Sequence, residues 1–287
     1  MRYELLGCLR VIDGNDVKML TAPKVEKLLA VLLVRSGRPT SISQLIDEIW
    51  LSEPPRRAVP ALHVYISQLR KFLARAGAAE TPVVTRSPGY LFEPADEDDS
   101  DFREFERLAA KGSELAKAGF PAGAVDAYRR ALALWRGPVL GDAGGGPILR
   151  GFGTWLNELR LQCIATMVTC GMELGQHLEL VPLLRQTTLE NPLNEIYYQQ
   201  LMLVLYRCGR RAEALEVYRE LHRTLRMELG IEPGRAVAEL HQRIMLAESG
   251  EVSPDMDCEL LWTATAGIGV SISQSAANPD PARPGRY

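Results

Sequence analysis

The sequence is poor in the residue sets that catalysis and metal binding need. Its four histidines (His63, His177, His222, His241) are scattered and match no ligand spacing, which excludes a recognisable metal site. The five cysteines are odd in number and include no C-x-x-C pair, so free thiols in a reducing compartment are expected. Cys163 and Cys170, seven residues apart on one helical face, fit core packing. No apolar run approaches the length of a membrane span, and an N-terminus containing Glu4 and Asp13 lacks the core of a signal peptide. The expected location is the cytoplasm, with no membrane partner. Gly144-Gly-Gly146 is not followed by Gly-Lys-Ser/Thr, so it is not a phosphate loop. With no nucleophile–base set, metal cluster or cofactor fingerprint, the chain is expected to be neither an enzyme nor a cofactor carrier.

A further absence is local. From Arg56 to Gly77 there is no aspartate or glutamate, whereas a merely solvated helix normally mixes both signs. At about 100° per residue, Leu62, Ile66, Leu69 and Leu73 stack on one face of this segment, with Val59 beside them, and that stripe should be buried. The opposite face carries Arg57, Pro60, Val64, Ser67, Gln68 and Lys71, with Arg56, His63 and Arg70 at its flanks. Pro60 is tolerable in the first helical turn, where N–H groups lack intrahelical partners. Val83–Thr85 and Tyr90–Phe92 alternate like short strands around the turn sequence Arg86-Ser87-Pro88-Gly89. A basic helix followed by a basic hairpin is how winged helices hold DNA. The expected division puts His63, Ser67 and Gln68 near base edges and Arg56, Arg57, Arg70, Lys71 and Arg86 near phosphates. Pro60, Val64, Ser41 and Ser87 join the candidate DNA-binding set. Gly89 is expected to supply a backbone angle that other residues resist, and Tyr90 to pack at the wing root.

Charge is segregated along the chain. The net −3 divides into +4 for residues 1–93 (13 basic against 9 acidic) and −7 for the remainder (20 against 27). Tyr3–Leu20 reads as short strands with a turn at Asp13-Gly-Asn-Asp16. A helix runs from about Thr21, its N-cap, to Arg35, and Ser41 or Ser43 caps a second over Gln44–Trp50. The loop Leu51-Ser52-Glu53-Pro54-Pro55 then enters the basic helix. The expected domains are 1–93 (winged helix), 94–101 (acidic linker), 102–249 (helical) and 250–287, a tail poor in charge that is expected to be disordered. Within that tail, Leu260-Leu-Trp262 is either idle or a small docking motif.

The helical part repeats. Gly112, Gly119, Ala124, Tyr128 and Ala131 fall at tetratricopeptide spacing, and the frame recurs at Gly209, Ala214 and Tyr218, more faintly at Gly175, Leu180, Leu184 and Pro192. The Gly/Pro-rich Arg136–Gly153 interrupts it as an insertion, and a last helix is expected over Gly234–Glu248. The fold class is thus mainly α with a small β part: an N-terminal winged helix of the response-regulator output type, then an all-α tetratricopeptide-like domain.

Several ordered motifs now make a resemblance specific. Ala22-Pro-Lys24 before Leu28–Leu33, Leu45-Ile-Asp-Glu-Ile-Trp50, Tyr65-Ile-Ser-Gln-Leu-Arg-Lys71 and Thr85-Arg-Ser-Pro-Gly-Tyr90 resemble the Streptomyces antibiotic regulatory protein family. So do Phe102-Arg-Glu-Phe-Glu106, Ala131-Leu-Ala-Leu-Trp-Arg-Gly137, Leu205–Arg210 with Ala214–Tyr218, and Glu228-Leu-Gly-Ile-Glu-Pro233. The resemblance spans residues 3–247. It implies a transcriptional activator of a biosynthetic gene cluster that binds direct repeats of double-stranded promoter DNA, two copies side by side. It also implies recruitment of RNA polymerase through its sigma and alpha subunits. Candidate polymerase contacts are Leu51, Ser52, Glu53, Pro54 and Pro55. The ATPase and sensor modules of large members have no counterpart in this sequence, so ATP control is not expected. The alternatives are a repressor with the same DNA-binding domain, or a tetratricopeptide scaffold for protein partners.

Overall fold

The computed structural model describes residues 1–51, 53–78, 81–141 and 144–246, which leaves Ser52, Glu248 and the tail from 250 outside the described residues. Secondary structure is mainly helical with a small sheet part. By contacts the chain divides into two compact units, one of residues 1–112 and 126–163, the other of residues 113–125 and 164 onwards.

The first unit opens with β1 (Arg2–Glu4), β2 (Arg10–Asp13) and β3 (Asp16–Lys18), an antiparallel meander whose β2–β3 turn places Gly14 at a positive φ of 57°. Helix α1 (Pro23–Val34) follows, with proline in its first turn. Its N-cap is Ala22 and has no side-chain hydrogen bond, so Thr21 is not the cap the pattern suggested. β4 (Thr40–Ser41) leads into α2 (Ile42–Trp50), and α3 (Ala58–Arg75) follows. β5 (Val83–Arg86) and β6 (Gly89–Phe92) form a hairpin that β4 extends, in the order β4-β6-β5. Leu28, Leu29, Leu45, Leu62, Leu69 and Leu73 are fully buried where α1, α2 and α3 meet. Tyr3 and Phe92 close the core edge-on, with ring centroids 5.4 Å apart.

The acidic 94–101 stretch is more than a connector. Asp99–Ser100 forms β7, which pairs parallel to β1 and completes the order β3-β2-β1-β7. Asp98 receives the N-terminal ammonium at 2.5 Å. Asp101, 1% exposed, accepts from the Leu5 and Leu6 N–H groups at 2.8 and 2.9 Å. Burial pushes its carboxyl up, opposed by those two N–H groups and by the Arg136 guanidinium.

Helix α4 (Asp101–Lys117) and helix α5 (Pro121–Leu132) show why small residues recur at the repeat spacing. A Cβ at Gly112 would lie 2.8 Å from the Tyr128 ring, so only glycine lets that aromatic fill the gap between the helices. The segment after α5, which the sequence suggested was an insertion between repeats, docks on the strands instead. Arg136 N–H donates to Leu6 O at 2.8 Å, Leu140 N–H to Leu5 O at 2.9 Å, and the Arg136 guanidinium reaches Glu4 at 3.3 Å and Asp101 at 3.4 Å. Pro147–Gly153, expected within that insertion, are already helical as the start of α6 (Pro147–Glu173).

In the second unit, α7 (His177–Glu190), α8 (Glu195–Arg207), α9 (Arg211–Glu228) and α10 (Arg235–Leu246) pack consecutively. Gly175 and Gly209 hold positive φ at the turns, and Leu180, Leu184 and Ala214 are buried at the expected repeat positions. Tyr218 stacks on His241 with centroids 3.8 Å apart. No described helix is long and apolar enough to cross a membrane.

Candidate nucleic-acid interface

Helix α3 begins at Ala58 with Arg57 as N-cap, so Pro60 occupies its first turn and its missing N–H is not needed. Leu62, Ile66, Leu69 and Leu73 are at most 2% exposed and fix the helix against α1 and α2. Val59 is not part of that stripe: it is 40% exposed, because it lies at the edge of the buried face in the first turn. The other side presents Arg57, Pro60, His63, Val64, Ser67, Gln68 and Lys71, all exposed and along one face, with Arg56 exposed just before the helix.

The wing is locked to this helix by Arg70. Its Nε donates to Val83 O and its Nη2 to Thr85 Oγ1, both at 3.0 Å, and its guanidinium lies 6.0 Å from the Tyr90 ring centroid. Arg70 therefore turns into the hairpin rather than outward, and the geometry makes it a tether between helix and wing. Tyr90 is 7% exposed and meets His63 edge-on at 6.5 Å, which places it in the wing root. Arg86 and Ser87 are exposed at the tip, where Arg86 pairs with Gly89 and the Ser87–Pro88 peptide is cis. Gly89 has an ordinary φ, contrary to expectation. Glycine is required there because a Cβ would run into Thr40 O and lie 2.9 Å from Ser41 Cα, on neighbouring β4.

Ser41 is the N-cap of α2. Its hydroxyl accepts from Gln44 N–H at 3.2 Å, while the Gln44 side chain accepts from Ser41 N–H at 3.1 Å, a reciprocal capping box. At the other end of α2, Leu51 adopts a positive φ of 56° and is 46% exposed, and Glu53, Pro54 and Pro55 are exposed after it. Ser52 of the same loop lies outside the described residues. Trp50 stacks on Tyr65 at 5.7 Å and receives Lys24 Nζ at 5.2 Å, so an aromatic–cation column braces the loop's first end against α3.

One feature near this surface was missed in the sequence. Glu48 of α2 is 1% exposed, and its carboxylate accepts from Ile148 N–H at 2.5 Å and Leu149 N–H at 3.3 Å. It thereby caps the N-terminus of α6, where a negative charge meets the positive end of the helix dipole. The available signal was its position: a carboxylate three residues after Leu45 and just before Ile49 falls on the apolar stripe of α2.

Two family profiles match, in chain order. Residues 16–92 match the family described as "Transcriptional regulatory protein, C terminal", and residues 100–245 match "Bacterial transcriptional activator domain". Regulatory protein DnrI of Streptomyces peucetius is 32% identical over 87% of this chain and 94% of its own length. The chain belongs to the Streptomyces antibiotic regulatory protein family. Regulatory protein AfsR of Streptomyces coelicolor is 37% identical over 93% of this chain, which spans only 26% of that relative's length. A solved structure, Mycobacterium tuberculosis EmbR in complex with a low affinity phosphopeptide, aligns with a TM-score of 0.78 and 30% identity over 93% of this chain and 69% of that one. Within the Streptomyces antibiotic regulatory protein architecture, the α1–α3 bundle with its β5–β6 hairpin is the winged helix, and the helices from α4 onward form the activator domain. Among the described residues no group of three or more His, Cys, Asp or Glu is placed to hold a metal ion.

Proposed function

We propose that this chain is a sequence-specific DNA-binding transcriptional activator of a secondary-metabolite gene cluster, acting in the cytoplasm on promoter direct repeats and without catalytic activity. The observation that carries the proposal is the exposed face of α3. It holds arginine, lysine, histidine, serine and glutamine with no carboxylate, beside a wing whose tip presents Arg86. Such a face suits the major groove, with the wing on the backbone. His63, Ser67 and Gln68 are assigned to base edges; Arg56, Arg57, Lys71 and Arg86 are assigned to phosphates. Arg70 ties the wing to α3, and Ser41 caps α2.

Two copies bind head to tail on one face of DNA, and the Leu51–Pro55 loop of one copy, with the acidic activator domain, meets the sigma and alpha subunits of RNA polymerase. Opposite net charges of +4 for residues 1–93 and −7 for the remainder support separate DNA-facing and protein-facing duties, divided at the acidic 94–101 stretch. A salt titration on duplex DNA tests the DNA half of the proposal. Four phosphate contacts per copy predict a slope of log affinity on log salt of about −3.6 for each copy bound. Affinity independent of salt, or no affinity, would return the protein to a scaffold role.

A further inference from the structure

Helix α3 exposes apolar surface at the middle of its polar face. Val64 is 54% exposed, and at about 100° per residue it sits one turn after Pro60, one turn before Ser67 and Gln68, and two turns before Lys71. A β-branched residue at an exposed helix position lowers helix propensity relative to alanine and gains no packing in return. Val64 is thus poorly explained by the stability of its own helix.

We propose that Val64, with the Pro60 ring beside it, reads the 5-methyl group of a thymine in each half-site. The inference rests on the DNA-binding reading above. On the major-groove edge, guanine, adenine and cytosine offer only hydrogen-bonding groups, and thymine alone adds an apolar one. A valine over guanine O6 and N7, or over the cytosine or adenine amino group, would strip water from them and return no hydrogen bond. Over thymine the same side chain buries methyl against methyl. Gln68, about 6 Å further along the helix axis, then falls one or two base pairs away, where its carboxamide can address an adenine edge. Val59, at the flank, is too far round the helix to share the contact. The shared chemistry is a pyrimidine 5-methyl group, which 5-methylcytosine also carries.

The test uses the full chain and the duplex it enriches from a randomised pool. Each thymine is replaced in turn by uracil, which removes the methyl and keeps every hydrogen-bonding group. At one position per half-site the affinity is expected to fall about fourfold, the factor for one buried methyl group. Val64→Ala should abolish that difference, binding the thymine and uracil duplexes alike, and Val59→Ala should preserve it. At the same position 5-methylcytosine should outbind cytosine, and thymine should outbind both; 5-methylcytosine ranking above thymine would overturn the assignment to thymine. Uracil without effect at every position, or a difference that survives Val64→Ala, would overturn the Val64 contact while leaving DNA binding intact. A pool that yields no preferred duplex would overturn the functional reading itself.

Discussion

Replacing Glu48 by alanine should loosen the joint between α2 and α6 without touching the DNA-facing surface. The carboxylate is 1% exposed and serves two N–H groups of the first turn of α6, at 2.5 and 3.3 Å. A charge-assisted hydrogen bond contributes about 1.5–3 kcal/mol, and a carboxylate at a helix N-terminus adds about 0.3–1 kcal/mol. The second bond is long, so about 3 kcal/mol for the pair is a fair total. Gly146 packs against Glu48, where a Cβ would lie 2.8 Å from its Cα, so the residue before α6 lies directly on α2. For a unit of this size each kcal/mol lowers Tm by about 2–4 °C, giving a fall of about 6–12 °C. Glu48→Gln keeps one acceptor oxygen but turns an NH2 group toward a donor, and should fall between the parent and Glu48→Ala. Calorimetry of the full chain measures both, alongside DNA affinity at a temperature where all three are folded. An unchanged Tm for Glu48→Ala would refute the claim that this buried carboxylate holds α6.

Further substitutions separate the duties assigned to the interface. Gln68→Ala should cost about 1–3 kcal/mol of specific binding and relax preference at one base pair, measured by competition with single-base variants of the site. Arg86→Ala should weaken all sequences alike and reduce the salt slope by about one unit, with the Tm unchanged. Arg70→Ala removes the bonds to Val83 and Thr85, so the wing amides should exchange faster with solvent and affinity should drop. Glu53→Lys should abolish activated transcription in vitro and leave the footprint intact; if activation persists, the Leu51–Pro55 loop is only a connector.

What could be read in the sequence was what depends on local periodicity. The 3.6-residue rhythm of Leu62, Ile66, Leu69 and Leu73 fixed α3 and hence which side chains face outward, and Arg-Ser-Pro-Gly fixed the wing turn. Val59 departs from the stripe because a face drawn at about 100° per residue does not say where the neighbouring helices stop covering it. Gly89 showed as a turn glycine, whereas its cause is a backbone neighbour almost fifty residues earlier, at Thr40. Glu48, Asp101 and Arg136 stayed hidden for the same reason: their partners lie 100, 96 and 128 residues away for Ile148, Leu5 and Cys8 respectively. The start of α6 was obscured by Gly151 and Gly153, each of which costs about 1 kcal/mol in a helix interior relative to alanine, so composition argued for a loop. The repeat positions survived because Gly112 against Tyr128 is a steric requirement that leaves its mark in residue size.

The central claim is that the acid-free face of α3 reads a specific DNA sequence. Footprinting the full chain across the promoters beside its own gene, in excess nonspecific competitor DNA, tests that most directly. The expected result is one protected pair of direct repeats, spaced by whole helical turns, that disappears when Gln68 and Lys71 are both changed to alanine. Protection that survives the double substitution, or no protected repeat at any promoter, would contradict it.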